Sequence, residues 1–289
     1  MNEIIVQDNK KVCVITGGGS GMGLATAKIM GKDHIVVLVS RTLSKLEIAA
    51  AELKADGIEA YPFACDIANR KSVDELASFA KALGEVKAVI HAAGMSPHMG
   101  DPEKIMATNA LGTININEAF YAVMQEGSCI IDVSSMASYM VPKILYPQKV
   151  YKYSRIDKEL FIKKMMSRVN LFPKDSRTFL AYAISKNFII WYAKTDAEKF
   201  GRKGIRVLSV SPGFFDTPMG DLEKDLSDGY IPFSALKRTG DVDEIANLFA
   251  FCVNEKVGYL TGTDILCDGG CIASGVNPLQ QMRSSSQAA

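Results

Sequence analysis

Apolar residues along the chain follow two alternating rhythms. Short runs rich in β-branched residues occur at Lys11 to Ile15, His34 to Val39, Ala60 to Ala64 and Ala88 to His91. They recur at Ile130 to Val133, Arg206 to Val210 and Asp264 to Cys267. Between them, longer stretches repeat apolar residues at helical intervals: Leu24 to Met30, Leu43 to Ala55, Ser72 to Leu83, Pro102 to Gln125, Thr178 to Phe200 and Asp241 to Val253. Gly57 reads as a helix stop. Strands alternating with helices predict an α/β, doubly wound, mostly parallel seven-stranded sheet with helices on both faces. No repeat and no linker is visible, so residues 1–276 read as one domain and the small, polar stretch 277–289 as a flexible tail.

One segment breaks the rhythm. Residues 139–177 open with Pro142 and Pro147 and close near Pro173. Between them Ile156, Leu160, Phe161, Met165 and Val169 recur at helical spacing, among Lys152, Arg155, Lys158, Lys163, Lys164 and Arg168. This reads as an inserted amphipathic helix with a basic, solvated outer face, preferred over a membrane-surface helix. Asp221 to Phe233, polar and with Gly220 and Gly229, reads as a mobile lid.

Candidate chemistry gathers where strands end. The first run leads into Thr16-Gly17-Gly18-Gly19-Ser20-Gly21-Met22-Gly23 and then a helix. Strand, glycine turn and helix form the Rossmann-type context in which backbone N–H groups and a helix N-terminus hold a pyrophosphate. No Gly-Lys-Ser/Thr follows, which disfavours an NTPase loop. The second strand ends in Ser40-Arg41-Thr42, where many NAD sites carry an acid for the ribose hydroxyls. A guanidinium there suits a 2′-phosphate by charge and fork geometry, favouring NADP over NAD; the plain alternative is a solvated arginine at a helix start. Asp66, in Cys65-Asp66-Ile67 past the third strand, faces a ligand or caps the helix beginning near Asn69. Ala92-Ala93-Gly94 follows the fourth strand, and Asn109 is a polar amide inside a long helix, needing a hydrogen-bond partner if buried. Ser134-Ser135-Met136-Ala137-Ser138 follows the fifth strand, and Ser211-Pro212-Gly213-Phe214-Phe215-Asp216-Thr217-Pro218 forms a rigid turn at the end of the sixth.

Two Tyr-x3-Lys pairs occur. Tyr182 and Lys186 lie within an unbroken helical stretch and share one face. Tyr139 and Lys143 have Pro142 between them, which disrupts a shared helical face. A tyrosine titrates near ~10 on its own, and a neighbouring ammonium favours the phenolate, so the first pair suits general acid/base work.

Composition narrows the classes. Among 289 residues, 33 basic and 32 acidic side chains leave a net charge of +1, giving no general attraction to nucleic acid or membranes. Hydrophobic residues make up 48%, yet no run approaches the ~18 residues that a spanning helix needs. Met1 to Lys10 lacks the basic start and apolar core of a signal peptide. Cys13, Cys65, Cys129, Cys252, Cys267 and Cys271 sit mostly in apolar runs, without zinc-ligand spacing. Together with only three histidines (His34, His91, His98), this predicts no metal site, reduced thiols and a cytoplasmic location.

Taken together, these motifs resemble the short-chain dehydrogenase/reductase family from Lys11 to Ala273, the insertion excepted. Thr16, Gly17, Gly21 and Gly23 match its TGxxxGxG turn, and Asp66 its adenine-contacting aspartate. Asn109, Ser135, Tyr182 and Lys186 match its Asn-Ser-Tyr-Lys catalytic set. Pro212 and Gly213 match its PG motif, and Thr217 its nicotinamide-contacting threonine. The resemblance implies reversible hydride transfer between NADP(H) and a ketone or secondary alcohol. Tyr182 would be the proton donor and acceptor, and Lys186 would tune it and hold the ribose. Ser135 would bind the carbonyl oxygen, and Asn109 a relay water. Ser20, Met22, Gly23, Ser40, Arg41, Ile67, Ala93, Gly94 and Phe215 complete the expected cofactor set. Two departures stand out: His91-Ala92-Ala93-Gly94 replaces Asn-Asn-Ala-Gly, and an insertion separates Ser135 from Tyr182. Similar insertions place the chain beside the 3α-hydroxysteroid dehydrogenase and carbonyl reductase branch. They imply a dimer in place of a tetramer and, in an apolar pocket built around Phe214, Phe215, Met219 and Met136, a hydroxysteroid or bile-acid-like ring substrate, with a small carbonyl compound as the alternative.

Overall fold

The computed structural model describes residues 10–222 and 224–275. The N-terminal residues before Lys10, Glu223 and the tail expected at 277–289 lie outside the described residues. In chain order the elements begin β1 (Lys11–Thr16), α1 (Gly21–Met30), β2 (Ile35–Ser40), α2 (Leu43–Ala55), β3 (Ala60–Ala64), α3 (Arg70–Leu83) and β4 (Glu85–His91). Next come α4 (Pro102–Met106), a π-helical turn (Ala107–Leu111), α5 (Gly112–Val123), β5 (Cys129–Val133), α6 (Ala137–Met140), α7 (Gln148–Tyr151) and α8 (Lys158–Val169). The chain finishes with α9 (Lys174–Gly201), β6 (Arg206–Pro212), α10 (Pro218–Asp221), α11 (Lys224–Tyr230), α12 (Val242–Val253) and β7 (Asp264–Cys267).

The seven strands form one sheet in the order β3-β2-β1-β4-β5-β6-β7, and every pairing is parallel. A strand buried on both faces must be apolar throughout, and β1 is: Val12 to Ile15 are all fully buried. Alternation sorts them. Cys13 and Ile15 join Ala27, Leu46 and Phe249 on one side, while Val12 and Val14 join Leu76, Phe120 and Phe200 on the other. The order reverses between β1 and β4, which opens a crevice at the carboxyl ends of the strands.

Several sequence readings change here. The stretch read as one helix from Pro102 to Gln125 is broken by the π turn and ends at Val123. Gly112 follows that turn, and a Cβ there would lie 2.8 Å from Ile67 Cδ1, so the helix approaches the end of β3 only because this residue is glycine. The insertion is also less solvated than its charges suggest. Tyr151, Phe161, Met165 and Val169 are buried against Ile105, Ile184, Phe188 and Tyr192, forming a third core. Ile156, assigned to the apolar stripe, instead precedes α8 and is 80% exposed. Arg155 and Lys158 turn inward to Asp196 and Glu118, the latter pair at 2.7 Å. The stretch read as a mobile lid contains α11 and a 3-10 turn (Ile231–Phe233), with Tyr230 buried and stacked on Phe214.

Candidate active site

The glycine turn sets the floor of the crevice. Gly17 and Gly21 adopt φ of +75° and +51°, which side chains disfavour. A Cβ on Gly23 would meet the Gly17 carbonyl oxygen at 2.3 Å, and one on Gly17 would lie 3.1 Å from the Ala93 nitrogen. Bare backbone therefore lines the approach to α1. Ser20 occupies the N-cap of α1 without a side-chain cap, leaving that N-terminus to be satisfied from the crevice side.

The loop after β4 is tied down by residues unlike the expected pair of asparagines. Thr16 Oγ1 accepts from the Ala93 N–H at 3.0 Å and lies 2.8 Å from His91 Nδ1. His91 is buried beside Lys186, and burial pushes its pKa down to about 3, so it stays neutral. Asn109 completes the clamp. Its Oδ1 accepts from Met95 N–H at 2.8 Å, and its Nδ2 donates to Met95 O at 3.0 Å and to Ser185 Oγ at 3.1 Å. The Asn109 side chain is thereby occupied with protein partners, which satisfies its burial inside the π turn.

Strand β5 delivers Ser135 and helix α9 delivers Tyr182 and Lys186. Ser134 Oγ donates to the Lys186 carbonyl at 2.8 Å, and Lys186 Nζ donates to the Val133 carbonyl at 2.8 Å. These two bonds dock α9 against the end of β5 despite the intervening insertion. Lys186 Nζ lies 5.8 Å from the Tyr182 ring centroid. Tyr139, from the competing pair, points away: its hydroxyl donates to Asp264 Oδ2 on β7 at 2.5 Å, and burial with that bond raises its pKa.

One cleft of about 290 Å³ collects these groups. Gly17, Ser20, Gly21, Met22, Ser40 and Arg41 line it, as do Asp66, Ile67, Ala93 and Gly94. Pro212, Gly213, Phe215 and Thr217 continue the wall to Ser135, Tyr182 and Lys186. Gly23 and Asn109 stand behind the lining, shaping it through the contacts above. Asp66 does not cap α3; that role falls to Asn69, which accepts from Lys71 and Ser72. Thr217 caps α10, accepting from the Gly220 N–H at 2.9 Å, and its methyl group faces Gly21.

The far end of the cleft is apolar. Met136, Phe214 and Met219 line it as expected, joined by Met95, Met140 and Phe179, which the sequence pattern did not single out. Phe179 was legible, because it precedes Tyr182 by three residues and so shares its helix face. Met140 was not, since it depends on how the chain turns after Ser135. Among the described residues no group of three or more metal-ligating side chains occurs. The bare glycine turn, uncapped α1 and Arg41 beyond β2 fit a phosphorylated dinucleotide.

Comparison with known proteins agrees with this geometry. Residues 11–156 match the family model for short chain dehydrogenases, and residues 166–271 match that for enoyl-(acyl carrier protein) reductases. The short-chain dehydrogenase/reductase bsc3 of Alternaria brassicicola is 29% identical over 92% of this chain and 97% of its own length. A 3-oxoacyl-[acyl-carrier-protein] reductase of Homo sapiens is 26% identical over 90% of this chain and 97% of its own. Among solved structures, a short chain dehydrogenase from Burkholderia cenocepacia J2315 in complex with NADP superposes with a TM-score of 0.72 at 24% identity, covering 91% of this chain and 98% of that one.

Proposed function

Because this chain belongs to the short-chain dehydrogenase/reductase family, an NAD(P)-dependent oxidoreductase family, we propose that it interconverts a ketone and a secondary alcohol using NADP(H). The substrate class we assign is an apolar ring system such as a hydroxysteroid or bile acid. The observation that carries the reading is convergence: Ser135, Tyr182 and Lys186 open onto the cleft whose other end holds the glycine turn and Arg41.

The nicotinamide supplies or accepts the hydride. Everything else falls to this chain. Gly17, Gly21 and the N-terminus of α1 hold the pyrophosphate, and Arg41 with Ser40 the 2′-phosphate. Asp66 and Ile67 border the adenine, and Ala93, Gly94, Pro212, Gly213, Phe215 and Thr217 the nicotinamide half. Ser135 donates a hydrogen bond to the carbonyl oxygen, where negative charge grows. Tyr182 then gives its phenolic proton to that oxygen, and takes it back in oxidation. Lys186, held on Val133 O, keeps a positive charge beside the tyrosine and reaches the ribose. Asn109 acts by fixing Met95 and Ser185, so its effect on a relay water runs through the backbone it positions.

The apolar end supports a ring substrate. Met95, Met136, Met140, Phe179, Phe214 and Met219 offer shape with few polar partners. A dimer is the assembly we favour, because the insertion covers the α9 face that includes Phe188 and Tyr192. The test is a substrate screen run with NADPH and NADH against steroid ketones and small ketones. Turnover of ring ketones with NADPH is expected. Turnover of small ketones alone, or preference for NADH, would replace the substrate or cofactor assignment. No turnover despite NADPH binding would favour a non-catalytic cofactor-binding regulator.

A further inference from the structure

Behind the cleft, where β5, α5 and α9 meet, lies a buried cluster of two carboxyl groups and an amide to which the reaction above gives no part. Asp132 on β5, Asn117 on α5 and Asp196 on α9 are all fully buried. Asn117 Nδ2 donates to both Asp132 oxygens, at 2.8 and 3.0 Å, and to Thr113 O at 3.0 Å. Asp196 is paired through Oδ1 with Arg155, which the insertion supplies. Arg155 also donates to Thr195 Oγ1 at 2.6 Å, and its guanidinium lies 5.3 and 5.0 Å from the Trp191 and Tyr192 rings. Two acceptors in the cluster, Asn117 Oδ1 and Asp196 Oδ2, are buried without a hydrogen-bond partner among the described residues. Orphaned buried acceptors are costly, and a carboxyl proton is a donor of the kind they lack.

The surroundings of Asp132 leave few other titrating groups. Its register partner on β4 is His91, which stays neutral, and on β6 it is Ser209, which does not titrate near neutrality. On α9, the Tyr192 hydroxyl is pushed well above its ordinary range by burial. Lys186 has its ammonium on the carbonyl of Val133, the residue next to Asp132. On α5, Glu118 is taken by Lys158 at 2.7 Å and Arg70 at 2.5 Å. Burial pushes the Asp132 carboxyl up to about 7; the Asn117 hydrogen bonds oppose this, Asp196 adds to it, and the Lys186 charge opposes it.

We infer that Asp132 is a positioning residue for Lys186, and that the Arg155–Asp196 ion pair completed by the insertion sets its charge from the far side. This rests on the function proposed above. When Asp132 carries a proton, the field behind Lys186 loses an anion; when it gives the proton up, the ammonium gains a counter-charge one residue from the carbonyl that holds it. The insertion thus reaches the catalytic lysine through a buried relay of charges, without touching the cleft there.

The test measures kcat, KM and NADPH affinity against pH for the full chain and for Asp132→Asn, Arg155→Met and Arg155→Met/Asp196→Leu. Carboxyl resonances of labelled aspartate are followed alongside. The unsubstituted protein should show an inflection near pH 7 in both turnover and NADPH affinity. Asp132→Asn should lose that inflection and about tenfold in kcat, with NADPH affinity held across the pH range at the value the original shows below the inflection. Arg155→Met should move it up by about half a pH unit or more, since removing a cation favours the protonated acid, and the double variant should move it back. An Asp132 carboxyl titrating near its ordinary ~4 would overturn the inference, as would an Asp132→Asn profile superimposable on the original. Should Asp132→Asn not fold, the carboxyl titration of the intact chain and the Arg155→Met displacement decide. If no ketone is turned over, the functional reading fails, while the inflection in NADPH affinity still decides for or against Asp132.

Discussion

Ser135 sits where β5 ends, and its hydroxyl is placed by a backbone that hydrogen bonds pin in two places: Ser134 N–H to Val210 O at 2.7 Å and Met136 N–H to Pro212 O at 2.8 Å. Ser135→Ala should keep the fold and cofactor affinity and lose about 10²- to 10³-fold in kcat, read by steady-state kinetics. Gly23→Ala places a methyl 2.3 Å from the Gly17 carbonyl, so NADPH binding should be abolished, as calorimetry would show. Arg41→Ala should weaken NADPH by about tenfold or more and leave NADH within about twofold, since only the former carries the extra phosphate. These positions were legible in the sequence because each is dictated by local chemistry: a turn needing bare backbone, a hydroxyl at a strand end, a cation where an acid is usual. That Tyr182, and not Tyr139, shares an unbroken helix with its lysine was legible too, through Pro142. What the sequence could not show is that Tyr139 is held on β7 by Asp264, or that Thr16 and His91 replace the missing asparagines. Those bonds join residues 75 or more positions apart.

At the scale of elements, α9 presents Tyr182 and Lys186 to the cleft, and the insertion packs against it. The seven strands and most helices were legible from periodicity, and β3, α2 and β7 have the boundaries expected. The π turn at Ala107–Leu111 was hidden, because its side chains continue a helical pattern while its backbone bends to bring Asn109 onto Met95. The inward turn of Arg155 was hidden as well, since a buried partner on α9 cannot be inferred from a run of basic residues. The insertion also reaches the cleft: Met140 at its start and Phe179 just past its end meet as pocket wall beside Tyr182. Phe179→Ala should raise KM for ring ketones by about tenfold, because truncating the ring strips apolar surface from the pocket wall, and leave small ketones unaffected. Equal effects on both substrate classes would place Phe179 in support of α9 and not in the pocket.

For the whole molecule, the buried acid on β5 links stability to pH. The folded-state pKa of Asp132, about 7, lies above the ordinary ~4 of an unfolded aspartate. The folded state therefore binds more protons between those values, and stability should fall as pH rises from about 4 to about 7. The contribution is on the order of a few kcal/mol, so Tm should drop between about pH 4 and pH 7, and Asp132→Asn should flatten that slope. The proposed reaction depends most on Tyr182 moving the proton. Its most direct measurement is turnover of the ketone and NADPH by Tyr182→Phe, with NADPH binding measured on the same sample. Binding within about threefold of the original and turnover reduced by about 10³-fold or more are expected. Turnover within about tenfold of the original, with NADPH still bound, would contradict that role of Tyr182.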